Sequence, residues 1–360
     1  MKYQSEYRKK EDIQQLAAQI RKISKKEIRL MEVCGGHTMA IQKFGIPSLL
    51  PPNIKLLSGP GCPVCVTSRK FIDQIMAYSR MKEAIITTFG DLIRVPGSSG
   101  TLDEEKAAGA DIRMVYSILE AIDIAVQNPG KQVIFAGIGF ETTAPGTAAG
   151  ILQAAQKKIK NFTVLSSHKI MPPAMAALID DGVPIDGYIA PGHVSTITGS
   201  HIYEPLATDY KKAVVVSGFE PLDLLQSVYM LVNQIESGKP AVEIQYKRVV
   251  TEAGNQKAQE IMNEVFTLRA DWWRGLGVLE KSGLGINKKF SDFDTNFRFP
   301  MDIPETTDPK GCRCGEILRG TLTPTDCSLF AKACTPVNPV GSCMVSSEGA
   351  CQAYYRYRNN

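Results

Sequence analysis

The sequence predicts an α/β fold of two parallel-sheet α/β domains followed by a Cys-rich third domain. Three observations predict it. Short apolar strands alternate with helical segments from about residue 30 to residue 246. The strand candidates end in Gly-, Pro- or Ser-rich loops: SGPGCPVC, TFGDLIRVPGSSG, GIGFETTAPG and APGHVSTITGS. Six of the nine cysteines fall at or after position 312, where apolar residues are too few for an independent core.

Residues 11–29 read as an amphipathic helix. Ile13, Leu16, Ala17, Ile20 and Ile23 recur at helical spacing, with Arg21, Lys22, Lys25 and Lys26 near its end. A helix packed on the body with a solvated basic face explains that pattern without a membrane. Residues 28–33 read as a strand. Further strands are expected at 54–57, 84–88, 132–137, 163–166, 187–190 and 213–217. Helices are expected at 67–79, 110–127, 142–158, 172–180 and 222–234. Residues 246–285 look like a connecting helical region, clearest at 255–268. The Phe- and Asp-rich stretch FSDFDTNFRFPMDIP reads as an extended crossing segment. The expected division is 1–130 for the N-terminal helix and first α/β domain, 131–245 for the second, and 246–360 for the helical connection and Cys-rich domain.

Composition narrows the function classes. Hydrophobic residues make up 44% of the 360 and charged residues 22%, enough for a core without disulfide staples. The net charge of +4 is too mild to imply a nucleic-acid partner. No apolar run approaches the ~20 residues of a membrane helix. Residues 1–10 are charged with no apolar stretch after them, so no signal peptide is expected. An odd cysteine count in a chain of this size argues against a secreted disulfide scaffold. A cytoplasmic metal or redox protein is the better reading.

The tail pattern is Cys312-x-Cys314-x12-Cys327-x6-Cys334-x8-Cys343-x7-Cys351. Four thiolates hold either an iron–sulfur cluster or a tetrahedral zinc. Paired Cys knuckles, usual for structural zinc, are absent here. Spread single thiolates suit a 4Fe–4S cube better, with zinc and inert buried thiols as rivals. Six cysteines exceed the need by two, and the surplus pair suits a redox disulfide beside a cluster.

Two more motifs carry thiols. Cys62-Pro63-Val64-Cys65 opens onto a helix, where the helix N-terminus favours a thiolate and disulfide exchange becomes possible. A zinc half-site is its rival, though no partner pair lies in the same region. Cys34-Gly35-Gly36-His37 follows a strand, and its glycines let backbone approach a ligand closely. His37 is a candidate ligand, proton carrier or partner for Cys34. Cys34, Cys62 and Cys65 all follow strands of one unit and are expected to converge at one rim.

Other residues have plainer readings. Glu141 and Asp91 sit in strand-end loops. Thr142 and Thr143 suit helix capping. His193 suits the cleft between the units, while His168 and His201 suit structural roles. Arg94 suits an anionic ligand or a partner's C-terminus. No G-x-x-x-x-G-K-[ST] motif exists, so a P-loop nucleotide site is not expected.

The segments MEVCGGHTMAIQKFGI, LSGPGCPVC, TFGDLIRVPGS, GFETTAP, APGHVSTITG, GFEP, CRCGEILRG and GSCMVSSEGAC resemble the HypD family of NiFe-hydrogenase maturation proteins. They run in the family's order along nearly the whole chain. The resemblance implies a scaffold that works with the small chaperone HypC as a heterodimer to assemble the Fe(CN)2CO unit. It implies a HypE-like cyanide donor, charged by HypF, as a transient partner, and a 4Fe–4S cluster as an electron source. Carried over residue by residue, Cys34 matches the essential thiol that binds the transient iron unit. Cys62 and Cys65 match the redox Cys-x-x-Cys. Similarity of the tail to ferredoxin–thioredoxin reductase implies Cys312, Cys327, Cys334 and Cys351 as cluster ligands, with Cys314 and Cys343 as the redox pair. Glu348 matches a carboxylate the family needs. Many relatives read Cys-Gly-Gly-His-x-His, whereas Met39 stands at the second His here, which leaves His37 alone in that role. The implied electron path runs from the cluster to Cys314/Cys343, to Cys62/Cys65, to iron at Cys34. A stand-alone disulfide reductase of the cluster-plus-dithiol type is the alternative, and a zinc-stabilised α/β enzyme a further one.

Overall fold

Parallel strands need long crossovers, and here the crossovers shuttle the chain between two sheets. The computed structural model describes residues 5–357; residues 1–4 of the charged N-terminus lie outside the described residues. The strands are β1 (Ile28–Glu32), β2 (Ile54–Ser58), β3 (Ala84–Thr88), β4 (Asp111–Met114), β5 (Gln132–Gly139), β6 (Phe162–His168), β7 (Gly187–Pro191), β8 (Ala213–Ser217) and β9 (Val242–Ile244). One sheet has the order β2-β1-β7-β8-β9 and the other β4-β3-β5-β6. Every pair within them is parallel; Leu30 of β1, for example, stands opposite Leu56 of β2 and Gly187 of β7.

Strands β3, β6, β7 and β8 are buried at every position, as expected of parallel strands covered on both faces. The N-terminal helix Lys10–Ile23 buries Ala17 and Ile20 and packs on the helix Pro221–Ser237. Among the described residues no helix is long and apolar enough to cross a membrane.

The structure departs from the sequence expectation in four places, one being residues 290–304, which carry helical turns at Lys288–Phe293 and Thr295–Arg298 rather than running extended throughout. Residues 110–127 are not one helix: β4 comes first, then the helix Ile118–Gln127, capped by Ser117 Oγ accepting from Glu120 N. β4 is a four-residue edge strand with an exposed Met114, so it lacks the apolar run that marks its neighbours. The expected break at residue 130 falls between β4 and β5, which belong to one sheet. The first sheet is instead assembled from 28–58 and 187–244, because the chain leaves it after β2 and returns at β7. Finally, the connecting region is helical only at Gln256–Val265. It continues as an antiparallel hairpin of β10 (Phe266–Trp273) and β11 (Gly277–Ile286), with a bulge between Arg269 and Asp271.

That hairpin docks on the four-stranded sheet through a buried cation. Lys169 is 1% exposed; its Nζ donates to Trp272 O at 2.9 Å, pairs with Asp271 Oδ1 at 3.1 Å and lies over the Trp273 ring. Trp273 is fully buried and stacks on Phe140 at 5.8 Å. Removing one partner of such a pair leaves the other charge buried and uncompensated. Lys169→Met is therefore expected to lower unfolding free energy by about 3 kcal/mol or more, read from the urea midpoint at constant slope.

Candidate functional site

In an open parallel sheet the loops at the carboxyl ends of the strands part where strand order reverses, and a crevice forms there. The first sheet reverses between β1 and β7, the second between β3 and β5. Both crevices open into one cleft of about 520 Å³. Its walls come from Cys34 after β1, Gly61 and Pro63 after β2, Phe89 to Asp91 after β3, Gly139, Phe140, Thr142 and Thr143 at the end of β5, and Pro191, His193 and Val194 at the end of β7. Ser346, Ser347 and Glu348 of the tail close one side.

Cys34 lies at the N-terminus of the helix Gly35–Lys43 and is 8% exposed. Burial, then the nearby Glu348 and Glu32, push its thiol up to about 12. Backbone N–H groups of His37 and Gly36 in the helix's first turn oppose that shift. The loop is packed against the Cys-x-x-Cys: Gly35 N donates to Gly61 O at 2.9 Å, and a Cβ on Gly61 would stand 2.1 Å from Cys34 N. Only glycine fits there. A Cβ on Gly35 would meet Glu348 Cβ at 2.5 Å, so the tail reaches the same loop. Beneath it Glu32 accepts from Cys34 N at 3.1 Å and from Thr38 Oγ1 at 2.6 Å, and burial raises it to about 8.

His37 is fully buried and does not line the cleft. Its Nε2 donates to Gly218 O at 3.0 Å and lies 3.3 Å from Ser217 O, which leaves Nδ1 as the unprotonated nitrogen, without a partner. Burial lowers its pKa to about 4, so the ring is neutral near pH 7. Phe219 stacks on both His37, at 4.6 Å, and the cleft-lining His193, at 4.0 Å. Asp91 and Glu348 face the cleft; burial and then Asp91 raise the Glu348 carboxyl. Glu141 lies behind the wall, 2% exposed. Its Oε1 accepts from Met171 N at 3.0 Å, its Oε2 has no partner, and burial raises it to about 7. Thr143 occupies a helix N-cap position without a side-chain capping bond; its hydroxyl donates to Phe140 O, and both Thr142 and Thr143 line the cleft. Arg94 donates to Val345 O at 3.1 Å and so ties the tail to the cleft. His168 is fixed between Thr147 and Ser166, and His201 bonds Glu252 O.

Behind the cleft the sulfurs meet. Cys62 caps the short helix Pro63–Val66, its Sγ accepting from Cys65 N at 3.3 Å. The Cys65 thiol is in hydrogen-bonding contact with Cys62 and with Cys343 of the tail. Cys343 in turn contacts Cys314, and Cys314 contacts both Cys312 and Cys351. Burial foremost, with these contacts, drives Cys65 up; hydrogen bonds from Cys314 and Cys65 hold Cys343 below the usual thiol range. The contact with Cys314, together with burial, raises Cys312 and Cys351, and burial raises Cys334. A Cβ on Gly341 would stand 2.5 Å from Cys314 Sγ and 2.6 Å from Cys312 Sγ, so this backbone lies directly over two sulfurs. Cys334 Sγ accepts from Val340 N at 3.4 Å. Cys327 is partly exposed, its thiol 3.9 Å from Gly311 O.

Among the described residues no group of three or more His, Cys, Asp or Glu side chains forms a closed metal-holding set. The donors are nonetheless soft: thiols alone gather in the tail, and no carboxylate or imidazole intrudes among the sulfur contacts. That chemistry is compatible with an iron–sulfur cluster. Sequence reasoning missed Glu32, Ser342 and Arg274, which act on the thiols through backbone and charge. A polar residue inside an apolar strand was the available signal for Glu32. Nothing local marks Arg274, whose carbonyl partners in Cys65 and Thr67 lie more than two hundred positions before it.

The profile of a family described as HypD, hydrogenase formation hypA family, matches residues 11–358. Hydrogenase maturation factor HypD1 of Bradyrhizobium diazoefficiens is 47% identical over 369 residues, covering 99% of this chain and 97% of its own. Hydrogenase maturation factor HypD of Cupriavidus necator is 46% identical over 368 residues, with 99% and 97% covered. A putative hydrogenase expression/formation protein of Methanocaldococcus jannaschii is 47% identical over 343 residues, with 94% and 95% covered.

Glu141 yields a pH prediction. A carboxyl raised on folding binds its proton more tightly in the native state, so its stabilising effect is complete below the unfolded value of 4.5 and is lost as pH rises through about 7. Glu141→Gln carries no such loss. Its stability relative to the parent is expected to improve by roughly 2–3 kcal/mol between pH 4.5 and pH 8, read from urea unfolding at both pH values.

Proposed function

The chain belongs to the HypD family of hydrogenase maturation factors, and from that premise we propose that it is the scaffold on which a HypC-like chaperone and this protein assemble the Fe(CN)2CO unit. The observation that carries the reading is the unbroken run of sulfur contacts Cys62–Cys65–Cys343–Cys314, which starts in the loop packed on Cys34. The work is assigned to the cytoplasm, where thiols stay reduced.

Cys34 is the sulfur donor to the iron cargo, shared with the chaperone. Its thiol is protonated before loading, so binding the metal displaces a proton into the cleft. Glu348, raised by burial and packed on Gly35, receives it. The adjoining helix N-terminus stabilises the thiolate once formed. His37, neutral and with a fixed tautomer, orients the loop and keeps a lone pair at Nδ1. A HypE-like protein delivers cyanide at the open mouth of the cleft, bordered by the exposed Tyr116 and Met114.

Cys312, Cys327, Cys334 and Cys351 would hold a 4Fe–4S cluster, which when bound supplies single electrons. Cys314 and Cys343, in mutual contact, form the redox pair beside it. Cys65 touches Cys343 and passes reducing equivalents to the Cys62/Cys65 pair next to Cys34. Cyanide and carbon monoxide favour low-spin, low-valent iron, so a thiol supply of electrons suits this cargo.

Infrared spectroscopy of the protein co-expressed with its suspected partners tests the reading. Wild type is expected to carry CN and CO bands, and Cys34→Ala to lose them. Cys314→Ala is expected to keep the protein folded but to load and reduce the unit at least ten-fold less. Equal bands in wild type and Cys34→Ala would overturn the scaffold role. A thiol reductase activity without any such bands would favour a stand-alone disulfide reductase.

A further inference from the structure

Arg274 is a buried cation at the very point where the two thiol pairs meet. It begins the turn after β10 and is 3% exposed. Its Nε donates to Cys65 O at 2.9 Å, its Nη2 to Thr67 O at 3.0 Å, its Nη1 to Asp308, and its backbone N to Val66 O at 3.0 Å. Three consecutive residues of the Cys-x-x-Cys loop are thus fastened by one residue. From the tail, Ser342 Oγ donates to the same Cys65 carbonyl at 3.1 Å, and Ser342 adjoins Cys343. The next residue of the turn is equally tied: Arg319 Nη1 donates to Gly275 O at 3.3 Å, and a Cβ on Gly275 would stand 2.4 Å from Gly315 O, beside Cys314.

Desolvating a guanidinium is costly, and here the cost is offset only because its fork meets the carbonyls of Cys65 and Thr67 and the carboxylate of Asp308. What the planar fork adds is direction: two donors fixed in one plane hold two carbonyls at set angles.

We propose that Arg274 is a positioning residue that holds Cys65 against Cys343 and thereby sets how readily the two thiol pairs exchange a disulfide. The role rests on the thiol-relay reading above. The exchange balances without an outside reagent. Cys343, as thiolate, attacks Cys65 Sγ of a Cys62–Cys65 disulfide; that S–S bond breaks and Cys62 leaves as thiolate. Cys314 then attacks Cys343 Sγ and releases Cys65. One disulfide is lost and one gained, two electrons pass to the Cys62/Cys65 pair, the proton of Cys314 ends on one of Cys62 and Cys65, and the negative charge brought by Cys343 stays on the other.

The test uses the full chain carrying Cys62→Ser and Cys314→Ser, which leaves Cys65 and Cys343 as the surviving members of the two pairs. The protein is equilibrated anaerobically in glutathione buffers, and the Cys65–Cys343 disulfide is quantified by peptide mass mapping. Arg274→Gln is expected to lower its equilibrium constant ten-fold or more, about 30 mV for a two-electron couple, with circular dichroism unchanged. Arg274→Lys is expected to restore part of that loss. A constant within two-fold of the parent in folded Arg274→Gln overturns the proposal. If that variant does not fold, Asp308→Asn, which frees one arm of the fork, is expected to lower the constant about three-fold by the same loss of positioning, and an unchanged value overturns it. Failure of the parent itself to form the disulfide overturns the relay and this role together, and is distinguished by appearing before Arg274 is altered.

Discussion

Sulfur atoms touch only where backbones come unusually close, and that constraint organises this molecule. Three segments meet behind the cleft: the loop after β2, the start of the tail at Cys312 and Cys314, and the turn around Cys343. Side chains larger than hydrogen at Gly61 and Gly341 would push the segments apart. The hairpin β10–β11 is the brace, pinned to the four-stranded sheet by Lys169 and to the Cys-x-x-Cys loop through Arg274. The sheets then have one task, which is to bring their two reversal points face to face over Cys34.

Burial has a second consequence for the thiols. With water excluded, the charged form is disfavoured, and most of the buried sulfurs with a displaced pKa are raised. The shift runs the other way where neighbouring thiols donate, at Cys343. On the proposed reading, electrons crossing such a set move with protons, and metal loading at Cys34 is tied to the nearby carboxyls Glu348 and Glu32, both raised by the same burial.

What the sequence revealed followed from burial on two faces. Strands β3, β7 and β8 stand out as apolar runs because helices cover both sides, and the loops after β3 and β7 announced the cleft. β4 and β9 are short edges, half-exposed and polar, so they read as helix or loop. The hairpin alternates exposure irregularly around a bulge, which hid its period of two. The thiols themselves were legible as motifs, and the resemblance they carry agrees with the family match. Their order of contact was not, since Cys65 and Cys343 lie far apart in the chain and meet through a brace whose partners are backbone carbonyls.

The most direct measurement of the central claim is diffraction at the iron absorption edge from crystals of the anaerobically prepared protein. The account predicts a compact iron peak among Cys312, Cys327, Cys334 and Cys351, with the Cys343 sulfur lying between that peak and Cys65. Iron located elsewhere, or a tail separated from the Cys-x-x-Cys loop, would contradict it.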